Sequence, residues 1–375
     1  MASLLNVNMT DLVTLNRKGV LRYVNSLYNP GEFFDAVHIV TRNPSDFNLP
    51  LDGSIKLHHV HDYHNPVLNL LSSTHQMARI VHKEGIDIIR GRGPFQSGWQ
   101  AVKVGWRTKR PVVVSCGGDY RLVHEYTNEY ELKLPWLTDM TEEFVLKHAD
   151  RIFVYNNFSK LYCISRGAPA ANIRIVPQRV DLSFFNPQRD GTAIRREYLL
   201  GDCPIVLFVG IMNEYNQVDS VARIVPLVLL KEPRAKFVFV GGGPLSATIQ
   251  QQLRHCRSQV LFLDYQPQER IAQLMAAATV VLVPMSVFVL LEAAASARPI
   301  VAYDIEWHSE FVKDYVTGRL IENRNEQYAA EAIVELIRDE GLAKRLGSAA
   351  RRKMEREFNE ADLIAREVVA YKELL

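Results

Sequence analysis

Short apolar, β-branched runs recur along this chain, and nearly every one is followed by a longer stretch with helical spacing. Strand–helix alternation of this kind is the mark of parallel βαβ units, so few folds other than doubly wound α/β sheets accommodate it. In the first half the strand candidates are Leu4–Met9, Ala36–Thr41, Ile55–Val60, Ile86–Ile89, Val112–Ser115, Arg151–Tyr155 and Ile173–Pro177. Helical stretches Gly19–Tyr28, Pro66–Glu84, Gly98–Thr108 and Glu142–Ala149 fall among them. A second series opens at Pro204–Val209 and continues through Lys236–Val240, Val260–Leu263, Thr279–Pro284 and Pro299–Tyr303. Two Rossmann-like sheets facing a cleft are therefore expected.

Between the two series, Asp181-Leu-Ser-Phe-Phe-Asn-Pro187 is polar, aromatic and closed by proline, which places a linker near residues 181–203. We expect an N-terminal domain over residues 1–185, a C-terminal domain over 186–355, and a last helix, about 356–375, packing back on the first domain. Residues 1–187 hold 21 Lys+Arg against 17 Asp+Glu, so the first half is mildly basic within a chain whose formal net charge is +2. That balance does not point to nucleic acid, and a 47% hydrophobic content is ample for a packed core. The uncharged run Ile271–Leu291 is broken by Gln273, Pro284 and Ser286 and reads as short buried elements rather than a membrane span. The opening MASLLNVNMTD lacks a basic n-region with an apolar core, and the four cysteines form no CxxC pair. A reducing, cytoplasmic setting is expected.

In open parallel sheets ligands bind at the carboxyl ends of strands, so function is sought in the loops that follow them. Val238-Phe-Val-Gly-Gly-Gly-Pro-Leu245 ends a strand in three glycines before a helix, where backbone can approach a phosphate or sugar, although a tight turn needs the same residues. Glu292 sits alone in an apolar, small-residue helix. Such a carboxylate is costly unless a neighbour satisfies it or it is kept for a ligand's donors, for which ribose hydroxyls would serve.

Taken in order, Val209-Gly210, Val240-Gly-Gly-Gly-Pro244, Phe262-Leu-Asp-Tyr265, Leu290-Leu-Glu-Ala-Ala-Ala295, Arg298-Pro-Ile-Val-Ala-Tyr-Asp304 and Thr317-Gly-Arg-Leu-Ile321 resemble the nucleotide-sugar half of GT-B glycosyltransferases of family 4. Gly91-Arg-Gly-Pro-Phe95, Pro111-Val-Val-Val-Ser-Cys-Gly-Gly-Asp-Tyr120 and Ala149-Asp-Arg-Ile-Phe-Val154 extend the resemblance over the first half. The resemblance implies a retaining transferase that moves a hexose-type unit from a UDP- or GDP-linked sugar to a saccharide or lipid-linked acceptor. By the same resemblance it would use no metal or other cofactor. Donor binding would fall to Gly210, Asn216, Gly242, Gly243, Tyr265, Phe288, Val289 and Glu292, with Glu292 toward the ribose and the amides near Phe288 and Val289 toward the diphosphate. Asp119 would lie by the reacting sugar, with Glu292 as the second catalytic carboxylate. Arg17, Lys18, Gly19 and Gly98 would serve the acceptor.

The chain departs from the family pattern on its loops. Ile211 and Asn216 stand where the family places an Arg and a Lys toward the diphosphate, and Pro284 stands where it carries a first Glu. The histidine near Asp119 is replaced by glycine, and the Asn-Gly before Val180 is Gln178-Arg179. Either other cations are recruited, with Arg17, Lys18, Arg179 and Arg254 as candidates, or the chain is a weak or inactive pseudoenzyme that binds a ligand or partner. An epimerase acting on the donor is a remoter alternative.

Three further features complete the reading. His58-His-Val-His-Asp-Tyr-His64 invites a metal, but because the run ends a strand at an exposed loop it reads instead as surface or acceptor-cleft histidines. The segment Gly98–Arg110, with Trp99 and Trp106 seven apart, is an ordinary domain helix or a basic amphipathic one that touches a membrane peripherally. Trp307 and His308, after a strand, either contact the donor sugar or pack the loop. No GxSxG elbow occurs.

Overall fold

A computed structural model describes residues 2–7, 12–17, 24–41, 43–49, 51–61, 66–118 and 135–375. Among them the chain forms two compact units, one of residues through 118, 135–177 and 361–375, the other of residues 178–360.

The first unit carries seven strands, β1 (Ser3–Val7), β2 (Ala36–Thr41), β3 (Ile55–His59), β4 (Ile88–Gly91), β5 (Val112–Cys116), β6 (Arg151–Val154) and β7 (Ile173–Ile175). Their order is β3-β2-β1-β4-β5-β6-β7, and every pairing is parallel. The second unit repeats the plan with β8 (Ile205–Val209), β9 (Lys236–Val240), β10 (Val260–Leu263), β11 (Val280–Val283), β12 (Ile300–Asp304) and β13 (Arg319–Glu322), in the order β10-β9-β8-β11-β12-β13 and again all parallel. Both orders reverse direction beside the first strand of their sheet, the arrangement of nucleotide-binding α/β folds. The expected α/β class and its two sheets are what the chain adopts.

Expected strands match within two residues at most of their ends, and the helix Pro66–Glu84 has its expected bounds. Gln96–Thr108 and Pro135–His148 begin earlier than expected, the latter at a proline that suits a first helical position. Of the expected helix Gly19–Tyr28 the described part, Val24–Tyr28, is helical, residues 18–23 lie outside those described, and a further helix, Leu12–Arg17, precedes it. Strand β13 is absent from the expectation because Arg-Leu-Ile-Glu at a half-exposed sheet edge has no continuous apolar run.

The seam lies at Pro177 and Gln178, eight residues before the expected one. The cause is Arg351, whose Nη1 donates to the carbonyls of Leu182 at 3.1 Å, Phe185 at 2.9 Å and Ala295 at 2.6 Å, tying that segment into the second unit. The helix Glu340–Glu357 also stays with that unit, so the returning piece begins at Ala361 rather than 356. Within the first unit, Tyr371 of the helix Glu360–Lys372 is fully buried, its ring 4.9 Å from Phe34 and 5.2 Å from Phe153. Glu367 accepts from buried Arg90 at 2.8 Å. Among the described residues no helix is long and apolar enough to cross a membrane.

Candidate active site

The carboxyl ends of β8 and β11 flank the point where the second sheet's order reverses, and the loop that leaves β8 meets the glycine-rich turn after β9. That turn is fixed against the β8 loop by backbone bonds. Gly210 N donates to Val240 O at 2.9 Å, Met212 N to Gly242 O at 2.9 Å and Leu245 N to Met212 O at 2.9 Å. A Cβ on Gly241, whose φ is +126°, would stand 2.1 Å from the Gly210 carbonyl oxygen, and one on Gly243 would stand 2.6 Å from that of Met212. Both glycines are required by loop-on-loop packing. Gly242 is different: a Cβ there would meet only the Tyr265 ring at 3.8 Å, an ordinary contact, so its bareness leaves room beside an exposed aromatic ring.

The family's two cation positions are filled without charge. Asn216 donates from Nδ2 to Ile211 O at 2.9 Å, and its own amide donates to buried Asn213 Oδ1 at 2.9 Å. Asn216 therefore clasps the loop rather than reaching for a ligand. Of the proposed substitutes, Arg254 is ruled out by topology, since it lies in the short helix Arg254–Cys256 before β10, at the amino edge of the sheet. Lys18 lies outside the described residues, as does the Arg17 side chain, and Arg179 follows β7.

After β11 the loop Pro284–Val287 leads into the helix Phe288–Ala295. His308 holds this loop in place. Its Nδ1 lies 3.0 Å from Tyr303 O and its Nε2 3.0 Å from Ser286 O, with the Ser286 amide 3.4 Å from Nε2. The ring is fully buried, and burial keeps the imidazole below its usual pKa. His308 thus ties the β11 and β12 loops together, and Trp307 is buried beside it with ring centroids 5.7 Å apart. Both side chains pack the loop, the second of the two readings the sequence offered. Ser286 Oγ accepts from the Val289 amide at 3.2 Å, so that amide is spoken for. The Phe288 amide has no acceptor among the described residues, and the Phe288 side chain is exposed.

Glu292, one turn further on, is 9% exposed. Desolvation pushes its carboxyl up to about 8, against which a hydrogen bond from the Gln268 side chain acts in the opposite direction. Among the described residues no arginine answers it, so the carboxyl is held neutral near pH 7 and becomes a good acceptor only when donors arrive. Gln268 and Asn213 were not singled out from sequence, because nothing in their spacing marks them.

Among first-unit candidates, Asp119, Lys18 and Gly19 lie outside the described residues. Gly98 is buried in the first turn of Gln96–Thr108, where a Cβ would stand 2.4 Å from Gly93 O and 2.8 Å from Val145 Cγ1, so close packing explains it fully. The histidine run gives no metal cluster among the described residues. Its His58 instead shares a hydrogen bond, Nε2 to Nδ1 at 2.7 Å, with buried His38 on the neighbouring strand.

Two family models match this chain, "Glycosyl transferase 4-like domain" over residues 19–178 and "Glycosyl transferases group 1" over residues 203–339. The chain belongs to the GT-B glycosyltransferases of family 4. A D-inositol 3-phosphate glycosyltransferase of Nocardia farcinica is 29% identical to this family-4 chain over 275 residues, 67% of this chain and 60% of that protein. A GDP-mannose-dependent alpha-(1-6)-phosphatidylinositol monomannoside mannosyltransferase of Mycobacterium tuberculosis is 26% identical over 54% of this chain and 56% of its own. The chain thus spans little more than half the length of these curated relatives. Anabaena HepE, solved with UDP and glucose, superposes with a TM-score of 0.81 at 15% identity, and sucrose-phosphate synthase of Thermosynechococcus elongatus with 0.80 at 19%; the matches cover all of this chain, all of the HepE chain and 99% of the synthase chain. These likenesses establish the fold.

Proposed function

We propose that this chain transfers a hexose-type unit, with retention at the anomeric carbon, from a UDP- or GDP-linked sugar to a saccharide or lipid-linked acceptor. The observation that carries the proposal is the carboxyl edge of the second sheet. There an open Gly242, exposed Tyr265 and Phe288 and the buried carboxyl of Glu292 follow the carboxyl ends of β9, β10 and β11. The relatives' names give the donor and acceptor chemistry its support, GDP-mannose with a phosphoinositide lipid in one and inositol phosphate in another.

In this reading the aromatic rings flank the base and Glu292 accepts from the ribose hydroxyls, which repay its burial by favouring the carboxylate. Charge developing on the leaving diphosphate meets main-chain donors, of which the Phe288 amide at a helix start is one, because Ile211 and Asn216 offer no cation. Gly210 and Gly243 keep the loops close enough for this, and Val289 supports them through its bond to Ser286. Asp119 acts at the reacting sugar, while Arg17, Lys18 and Gly19 belong to the acceptor side and Gly98 only packs the helix beneath it. Nothing among the relatives favours a chain that binds without turnover. The four cysteines are free, which fits a cytoplasmic place of action.

Thermal unfolding with UDP, GDP or ADP tests the reading. A nucleotide held specifically should stabilise by about 2.7 kcal/mol at one hundred times its Kd. No shift with any of the three at millimolar concentration would end the proposal. Where a nucleotide binds, product anomer analysis decides retention, and Asp119→Asn should depress transfer while leaving nucleotide affinity nearly unchanged.

A further inference from the structure

Three of the chain's four tryptophans, Trp99, Trp106 and Trp136, lie on two neighbouring helices of the first unit. On Gln96–Thr108, residues Trp99, Lys103 and Trp106 follow at steps of four and three, and on Pro135–His148 residues Trp136, Met140 and Phe144 follow at steps of four. Each set therefore forms one stripe along its helix. The stripes are joined side by side, the Trp106 and Phe144 rings lying 5.3 Å apart. Lys103 Nζ stands 4.7 Å from the centroid of Trp106, 4.8 Å from that of Phe144 and 5.4 Å from that of Trp99. Trp106 is 51% exposed, Trp136 59% and Met140 61%, so large apolar side chains are left facing water.

The charge around them is one-sided. Residues 96–110 hold Lys103, Arg107, Lys109 and Arg110 and no acid. The acids of the second helix are already answered, since Arg166 pairs with Asp139 at 2.9 Å, Glu142 at 3.1 Å and Glu143 at 3.3 Å. A protein interface would deplete lysine from its centre, yet here an ammonium sits amid the rings. Indole rings at headgroup depth with cations that reach lipid phosphates are the pattern of an interfacial helix surface. We propose that this face of the first unit docks on an anionic lipid bilayer, the rings entering the headgroup layer and Lys103 with its basic neighbours meeting phosphates. The inference stands on the first unit alone and does not depend on the transfer reaction.

Co-sedimentation of the full chain with phosphatidylcholine vesicles, with and without phosphatidylglycerol, is the test. The chain should pellet with the anionic vesicles, less so as salt rises, and stay in solution with phosphatidylcholine alone. Trp106→Ser combined with Trp136→Ser should weaken binding by about tenfold or more, and Lys103→Gln by about fivefold. Both variants change exposed or half-exposed positions, and unaltered thermal unfolding confirms that they fold; Met140→Ser replaces either one that does not. Absence of pelleting by the wild-type chain, or equal pelleting of the folded variants, overturns the proposal. So does concentration-dependent dimerisation that Trp136→Ser abolishes without any vesicle binding, which would give the face to a second copy.

Discussion

Glu292 is a carboxyl whose surroundings favour the proton. Its pKa of about 8 in the folded chain, against an ordinary 4.5, means the folded state binds the extra proton between those values. Stability from this source is intact below pH 4.5 and is lost as pH rises through 8. Glu292→Gln should therefore be more stable than the wild type at pH 8, by about 4 kcal/mol, and nearly equal to it at pH 4.5, as read from urea unfolding at the two pH values. The same variant should bind nucleotide more weakly, and unchanged affinity would remove Glu292 from the ribose site. The His38–His58 pair behaves in the opposite sense. Burial, then the charge of His58, lowers His38 to about 4, so its contribution is present above pH 6.5 and lost as pH falls toward 4. An NMR titration of the His38 imidazole should have its midpoint near 4; a midpoint near 6.5 would refute the pairing. Glu292 was legible in the sequence because a lone charge in an apolar run is conspicuous. His308 was legible only as a position, since its partners Tyr303 and Ser286 meet it through the fold.

At the level of elements, the glycine-rich turn separates into packing and opening. Gly241→Ala must place a methyl group against a carbonyl oxygen with φ at +126°, and should cost about 3 kcal/mol or more of second-unit stability. Gly242→Ala meets only ordinary contacts, so it should leave thermal unfolding within about 0.5 kcal/mol of wild type while weakening nucleotide affinity. Equal effects of the two substitutions would contradict the distinction. Strands were readable because parallel strands covered on both faces are continuous apolar runs, as Val112–Cys116 shows with every residue buried. The glycine turn was readable as a turn, but which of its glycines serves packing depends on the β8 loop lying across it, and no local pattern carries that. Arg254 failed for the related reason that distance along the chain from a glycine turn does not reveal which edge of the sheet a residue reaches.

For the whole molecule, the returning C-terminal helix is the feature with most leverage on the first unit. Arg90 is buried, donates to both Glu367 and the Tyr371 hydroxyl at 2.8 and 2.6 Å, and reaches Ser115 at 3.2 Å. Removing one partner of such a pair leaves a buried charge uncompensated. Glu367→Ala should thus destabilise the first unit by about 3–5 kcal/mol, seen as an earlier unfolding transition for that unit and an unmoved one for the second. A single unshifted transition would show the pair to be dispensable. The sequence indicated a last helix with this destination, while the seam at Pro177 was eight residues off because Arg351, far along the chain, decides it. That return also sets an order of assembly during synthesis. The ribosome makes residues 178–360 before the segment that closes the first unit, so that segment follows Pro177 by roughly ten to forty seconds at ordinary elongation rates. The nascent first half must wait with Phe34 and Phe153 lacking their cover, so the unit translated second is the one that closes first. Released chains truncated after residue 360 should resist protease in their second unit and yield in their first.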